Sequence, residues 1–152
     1  MKLLIILLAS LSLSGCLIGP KNADQLRLNY HKEHIVCVDK SHEETFEFLL
    51  KRMSQCYVGT TEVATATGGA FISSGSSGKV IGTYNKDGRS NIVISVHGGG
   101  LSFVTGMVDI ESTQACKAKV NIYFHNSFWD DHAADFKEWL MGNNEPCSSR
   151  GT

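Results

Sequence analysis

Between His34 and Leu140 the spacing of apolar residues changes repeatedly, and each change marks an element. His34-Ile35-Val36-Cys37-Val38 is short, nearly continuous in apolar character and rich in β-branched residues, and reads as a central strand. The period then lengthens to that of a helix. Phe46, Leu49, Leu50, Met53 and Tyr57 fall on one face, while Glu43, Glu47, Lys51, Arg52 and Gln55 occupy the other. Ser41 and Glu44 have the spacing of a capping box, Cys56 lies in the last turn, and Gly59 is placed to end the helix.

From residue 60 to 124 threonine, valine, isoleucine and glycine dominate. Thr67-Gly68-Gly69, Gly75-Ser76-Ser77-Gly78, Asn85-Lys86-Asp87-Gly88 and His97-Gly98-Gly99-Gly100 read as turns. They divide the segment into strands near residues 60–66, 70–74, 79–84, 91–96, 102–111 and 115–124. In the last of these Cys116, Ala118, Val120, Ile122 and Phe124 alternate with Lys117, Lys119, Asn121 and Tyr123, the pattern of a sheet with one covered and one wetter face. A second helix is expected from Ser127, with Asp130 completing a box. Its stripe is Phe128, Trp129, His132, Ala133, Phe136, Trp139 and Leu140, with Gly142 and Pro146 to stop it. The order strand, helix, strand run, helix predicts an α+β two-layer sandwich, a mostly antiparallel sheet with two helices packed on one face. The expected domain is a single one over residues 34–147, with a tail over 148–152.

Composition narrows the function classes. With 152 residues, 42% hydrophobic, 19% charged and a formal net charge of −1, the chain is neither a basic nucleic-acid binder nor disordered. Five cysteines are an odd number, and the leader accounts for one of them. Lys2 precedes an apolar run, Leu3 to Leu13, that is followed by Ser14-Gly15-Cys16 and is too short to span a bilayer. Leu13-Ser14-Gly15-Cys16 resembles the lipobox of bacterial lipoproteins. The resemblance implies that a signal peptide, residues 1–15, is removed and that Cys16 carries a diacylglycerol and an N-acyl chain such as palmitate. No other cofactor is expected. In that family an aspartate after the cysteine retains the protein in the inner membrane of Gram-negative bacteria; Leu17 here implies the outer membrane, with the domain facing the periplasm, whereas a Gram-positive source would place it on the outer face of its only membrane. Residues 16–33, polar and without clear periodicity, are expected to form a tether. Loss of Lys2 with the leader leaves 13 basic against 15 acidic residues, a charge of −2 that specifies no partner.

Cys37, Cys56, Cys116 and Cys147 remain, and an oxidising compartment would pair them as two disulfides. Their separations are unlike the close pairs of zinc sites. Cys56 ends the first helix and Cys147 trails the second, which favours that pair. Cys37 and Cys116 then share a second bridge or stay as buried thiols.

Catalytic motifs are scarce. Gly-x-Ser-x-Gly is absent, and Gly98-Gly99-Gly100 lacks the lysine and following helix of a phosphate loop. His97 beside that run could serve as a loop base, but such runs are more often hairpin connections. His31 and His34 straddle a tether and a strand start. His125, Asp131 and His132 are the candidate metal ligands, set against the simpler role of Asp130 and Asp131 as acids complementing a helix N-terminus. Leu101, Phe103 and Met107 alternate with Val104, Val108 and Ile110, so this strand is apolar on both faces and belongs either to a hydrophobic-ligand pocket or to a centre covered on both sides. In outline the chain resembles small α+β lipoproteins of Gram-negative envelopes. The expectation is a lipid-anchored, non-catalytic interaction domain for an envelope protein or cell-wall component, working through its exposed sheet face or its glycine-rich loops. The alternative is binding of a small hydrophobic ligand, ahead of an envelope enzyme or a metal-binding protein.

Overall fold

Among the described residues seven strands form one antiparallel sheet, with the first strand at one edge and the second at the other. The computed structural model describes residues 19–57, 62–66, 70–74, 78–98, 101–143 and 147, with backbone alone for 62–66, 70–74, 98, 101 and 130–131. Along the chain come α1 (Ala23–Leu28), β1 (Lys32–Val38), α2 (His42–Tyr57), β2 (Glu62–Ala66), β3 (Ala70–Ser74), β4 (Gly78–Thr83), β5 (Ser90–Gly98), β6 (Leu101–Glu111), β7 (Ala118–Phe124), a 3₁₀ turn (Ser127–Trp129) and α3 (Asp130–Leu140). Strands β2 to β7 form a meander, and β1 adds antiparallel to β7, so the first strand pairs with the last.

The expected α+β sandwich is what the chain forms. Helix α2 packs against β4, β5 and β6, and α3 against β1 and β7, both on one face. Phe46, Leu49 and Met53 of α2 and Phe136 and Trp139 of α3 meet Ile92, Ile94, Val108, Ile110, Val120, Ile122 and Phe124 of the sheet. Each large side chain fully removed from water contributes about 1.5–3 kcal/mol before its entropy cost. Gly106 lets the buried Phe124 ring lie against the β6 backbone, since a Cβ there would sit 2.5 Å from Cε1 of that ring.

The α2 capping box forms as its sequence predicts. The Ser41 N–H donates to Glu44 Oε2 at 2.9 Å, and the Glu44 N–H donates to Ser41 Oγ at 3.2 Å. Gly59 and the turns at 67–69 and 75–77 lie outside the described residues. Helix α3 starts later than expected. Ser127 opens a 3₁₀ turn instead of capping a helix, and the Phe128 N–H is taken by Asn126 Oδ1 at 3.1 Å. Phe128 therefore leaves the predicted stripe and stands 72% exposed. At the other end Gly142, with φ +94°, closes a Schellman cap: its N–H donates to Trp139 O, and that of Asn143 to Glu138 O.

Two other expectations are corrected. Strand β1 is an edge, not a centre: Val36 and Val38 face the helices, while Ile35, despite its apolar neighbours, points the other way and is 57% exposed. Residues 16–33 are not a tether throughout. From Gly19 the described chain is fastened to the sheet, and residues 23–28 are helical. Asn22 caps α1 by accepting from the Gln25 N–H, and Leu26, fully buried, packs on Val104, Met107 and Tyr123. Six residues make a helix too short to persist alone, so α1 exists by virtue of this packing.

Candidate interaction surface

The face of the sheet opposite α2 and α3 is built by the alternate residues of each strand. The register sets Ile35, Asn121, Asp109 and Asn91 in one row, and Glu33, Tyr123, Met107 and Val93 in the next. Helix α1 lies across the second row. Strand β6 is therefore covered on both sides, Val108 and Ile110 by the main core and Val104 and Met107 by α1, which resolves its two-faced apolar pattern as a central strand. Asn121 and Tyr123, expected on the wetter face, are buried beneath α1 and its flanks.

Arg27 clamps α1 in place. Its Nε and Nη2 donate to the two oxygens of Asp109 at 2.8 and 2.7 Å, and its Nη1 reaches Asp24 at 2.6 Å. Asp109 is fully buried, and its attraction, foremost through the hydrogen bond, raises the guanidinium pKa. A two-pronged pairing of this kind fixes orientation as well as charge. Neither residue stood out in the sequence, although a lone acid inside Val108-Asp109-Ile110, a strand apolar on both faces, signals a buried charge that needs a partner.

From the end of α1 onward the covering stops. Leu28 is 82% exposed, Tyr30 40% and Ile35 57%. The Tyr30 ring meets Tyr123 edge-on, with centroids 5.2 Å apart. Burial first, and then the Glu33 carboxylate, holds the Tyr123 phenol neutral well above its ordinary range. This apolar patch borders β1, and among the described residues no further strand pairs with that edge. Every second residue of an edge strand turns its N–H and C=O outward.

Beside the clamp a cleft of about 640 Å³ is lined by Arg27, Arg89, Lys86, Asp87, Asn91 and Glu111. Arg89 pairs with Glu111 and approaches Asp109 at 3.7 Å, so cations and carboxylates neutralise one another there. Its walls are those of an ion-pair network, unlike the apolar lining of a hydrophobic-ligand site.

The cysteines pair as favoured. Cys56 bonds Cys147, and Cys37 bonds Cys116, with Cα separations of 5.3 and 5.5 Å. Cys116 precedes β7 instead of lying in it, and its bridge ties the β6–β7 connection to the edge strand. Next to the first bridge, the Tyr57 hydroxyl is 3.0 Å from His132 Nδ1, which is itself 4.0 Å from Asp135 Oδ2. Burial, then Asp135, pushes the Tyr57 phenol far above its ordinary range. The space beside this cluster is only about 20 Å³, less than a substrate requires, and its hydrogen bond fastens the end of α2 to α3.

Of the candidate metal ligands, His132 is engaged by Tyr57, His125 follows β7 beside Gly19, and the Asp131 side chain lies outside the described residues. Among the described residues no three His, Cys, Asp or Glu side chains converge. His97 is exposed at the end of β5. No described helix is long and apolar enough to cross a membrane. No protein-family model and no curated protein matches this chain.

Proposed function

We propose that the chain is a bacterial envelope lipoprotein, acylated at Cys16 and held at the outer membrane facing the periplasm. Its non-catalytic domain receives an extended segment of another envelope protein along β1. The observation that carries this is the set of exposed apolar residues Leu28, Tyr30 and Ile35 beside a strand edge that is unpaired among the described residues, on a domain whose opposite sheet face is packed by α2 and α3. A strand added there would satisfy the outward backbone groups of β1, and its alternate side chains would pack on Ile35 and Tyr30. The charged cleft and the filled core favour a surface over a pocket for a hydrophobic ligand.

Two measurements test this. Labelled palmitate should enter the wild-type chain and not Cys16→Ala, which should also leave the membrane fraction. In intact cells, a photocrosslinking amino acid at position 35 should give one discrete adduct, mapping to a single segment of its partner. The same group at position 141 should give none, and Tyr30→Asp should abolish the adduct at 35. Absence of a position-35 adduct from a correctly acylated chain would overturn the docking reading.

A further inference from the structure

We propose that the domain sits directly on the bilayer in a fixed orientation, with Phe128 inserted at the lipid interface. The seating depends on acylation of Cys16, the anchor proposed above. What carries it is how soon after that anchor the chain is fastened. The Pro20 carbonyl accepts the Val104 N–H at 2.8 Å. Gly19 lies so close to β6 and β7 that a Cβ on it would be 3.2 Å from Phe103 and 3.5 Å from His125. Three peptide steps separate Cys16 from Gly19, a reach of at most about 11 Å. A lipidated Cys16 therefore leaves no slack, and the end of the sheet around Gly19 must lie at the membrane surface.

That end is defined by the strand register. It comprises the start of β6, the end of β5, the end of β7 and the 3₁₀ turn that follows, because Gly98 pairs with Leu101 and Phe124 with both Gly106 and Lys32. Phe128 projects from this turn, three residues beyond His125. Asn126 holds the turn rigid: its side chain accepts the Phe128 N–H, and its carbonyl accepts the Trp129 N–H at 3.2 Å. The Phe128 ring touches Trp129 edge-on at 5.7 Å and is otherwise 72% exposed. Trp129 is half-buried behind it, an indole of the kind that suits the boundary between lipid and water. Lys21 and Lys32, both exposed at the same end, would meet anionic headgroups.

The other exposed apolar residues make internal controls. Leu28 ends α1, Ile35 lies on the open sheet face, and Met141 follows α3, whose 11 residues carry the chain about 16 Å from the 3₁₀ turn.

The experiment uses the full acylated chain in vesicles of phosphatidylethanolamine and phosphatidylglycerol at about three to one, doped with a lipid bearing a photoactivatable acyl chain. Adducts are then mapped by peptide mass, and the N-terminal peptide is weighed for its acyl groups. Label should fall on residues 125–129 at least about ten-fold more than on peptides holding Leu28, Ile35 or Met141, and Phe128→Ser should cut it at least about five-fold with Cys16 still acylated. An acylated chain labelled evenly, or not at all in 125–129, overturns the orientation alone. A Cys16 without acyl mass overturns the anchor and the orientation together.

Discussion

Among the described residues, Asp109 is the carboxylate fully removed from water. It is fully buried in a strand flanked by Asn91 and Asn121 in register, and the Arg27 guanidinium answers its charge from α1. Removing one member of a buried pair leaves an uncompensated charge, which typically costs about 3–5 kcal/mol. Arg27 retains some exposure, and Arg89 stands 3.7 Å from Oδ2, the oxygen that Arg27 Nε also holds. Both moderate the loss, so Arg27→Ala should cost about 2–3 kcal/mol in urea unfolding. Replacing both residues, as Arg27→Met with Asp109→Leu, should cost less than about 1 kcal/mol, because no buried charge is then stranded. A double replacement as damaging as the single one would show that packing, not charge, fastens α1. This pair was not legible in the sequence because its partners lie 82 residues apart and one belongs to a segment without periodicity.

Helices α1 and α2 show what local pattern can and cannot reveal. The main features of α2 were readable, a long apolar stripe and Ser41 with Glu44 at cap spacing, whereas the burial of His42, Thr45 and Ser54 was not. The backbone and hydroxyl of Ser41 lower the Glu44 pKa below the usual carboxylate value. Its contribution is therefore complete above the unfolded pKa and is lost as pH falls through the folded one. Urea midpoints followed into acid should fall more steeply for the wild type than for Glu44→Gln, and the two curves should converge once Glu44 is protonated. Parallel curves would remove the carboxylate from the cap. Helix α1 is the opposite case. At six residues it has less than two turns to display a period, and it is made by Leu26 and Arg27 finding the sheet. The edge position of β1 was equally hidden, since an apolar run records that side chains are apolar and not how many neighbouring strands they have.

For the whole molecule, the two disulfides interlock: residues 37 and 116 enclose position 56, and 56 and 147 enclose position 116. A long closed loop restricts the unfolded chain, and removing such a bridge costs about 2–4 kcal/mol. Replacing Cys56 and Cys147 together by serine should lower stability by that amount while Cys37 and Cys116 remain oxidised. A thiol assay on the denatured, unreduced wild type should find no free thiol among these four residues. Four reactive thiols would refute both bridges. The α+β architecture and the existence of both long helices were legible because they follow from period and from the order of elements, and the cysteines at the helix ends favoured one pairing without deciding it. The covering of the second sheet face was not, because it depends on a segment whose own sequence is polar.

The pairing of β1 with β7 also governs when the domain can form. The sheet's first strand waits for its last, 79 residues separate the bridged Cys37 from Cys116, and α3 with its bridge to Cys56 comes later still. A chain emerging from one end can assemble the hairpins of the meander early, but neither the finished edge nor either disulfide exists until nearly all of it is present. Distant contacts of this kind slow folding. For the exported, acylated chain proposed above, that delay would keep the chain loose during transit and reserve its final closure for the compartment where thiols can be oxidised.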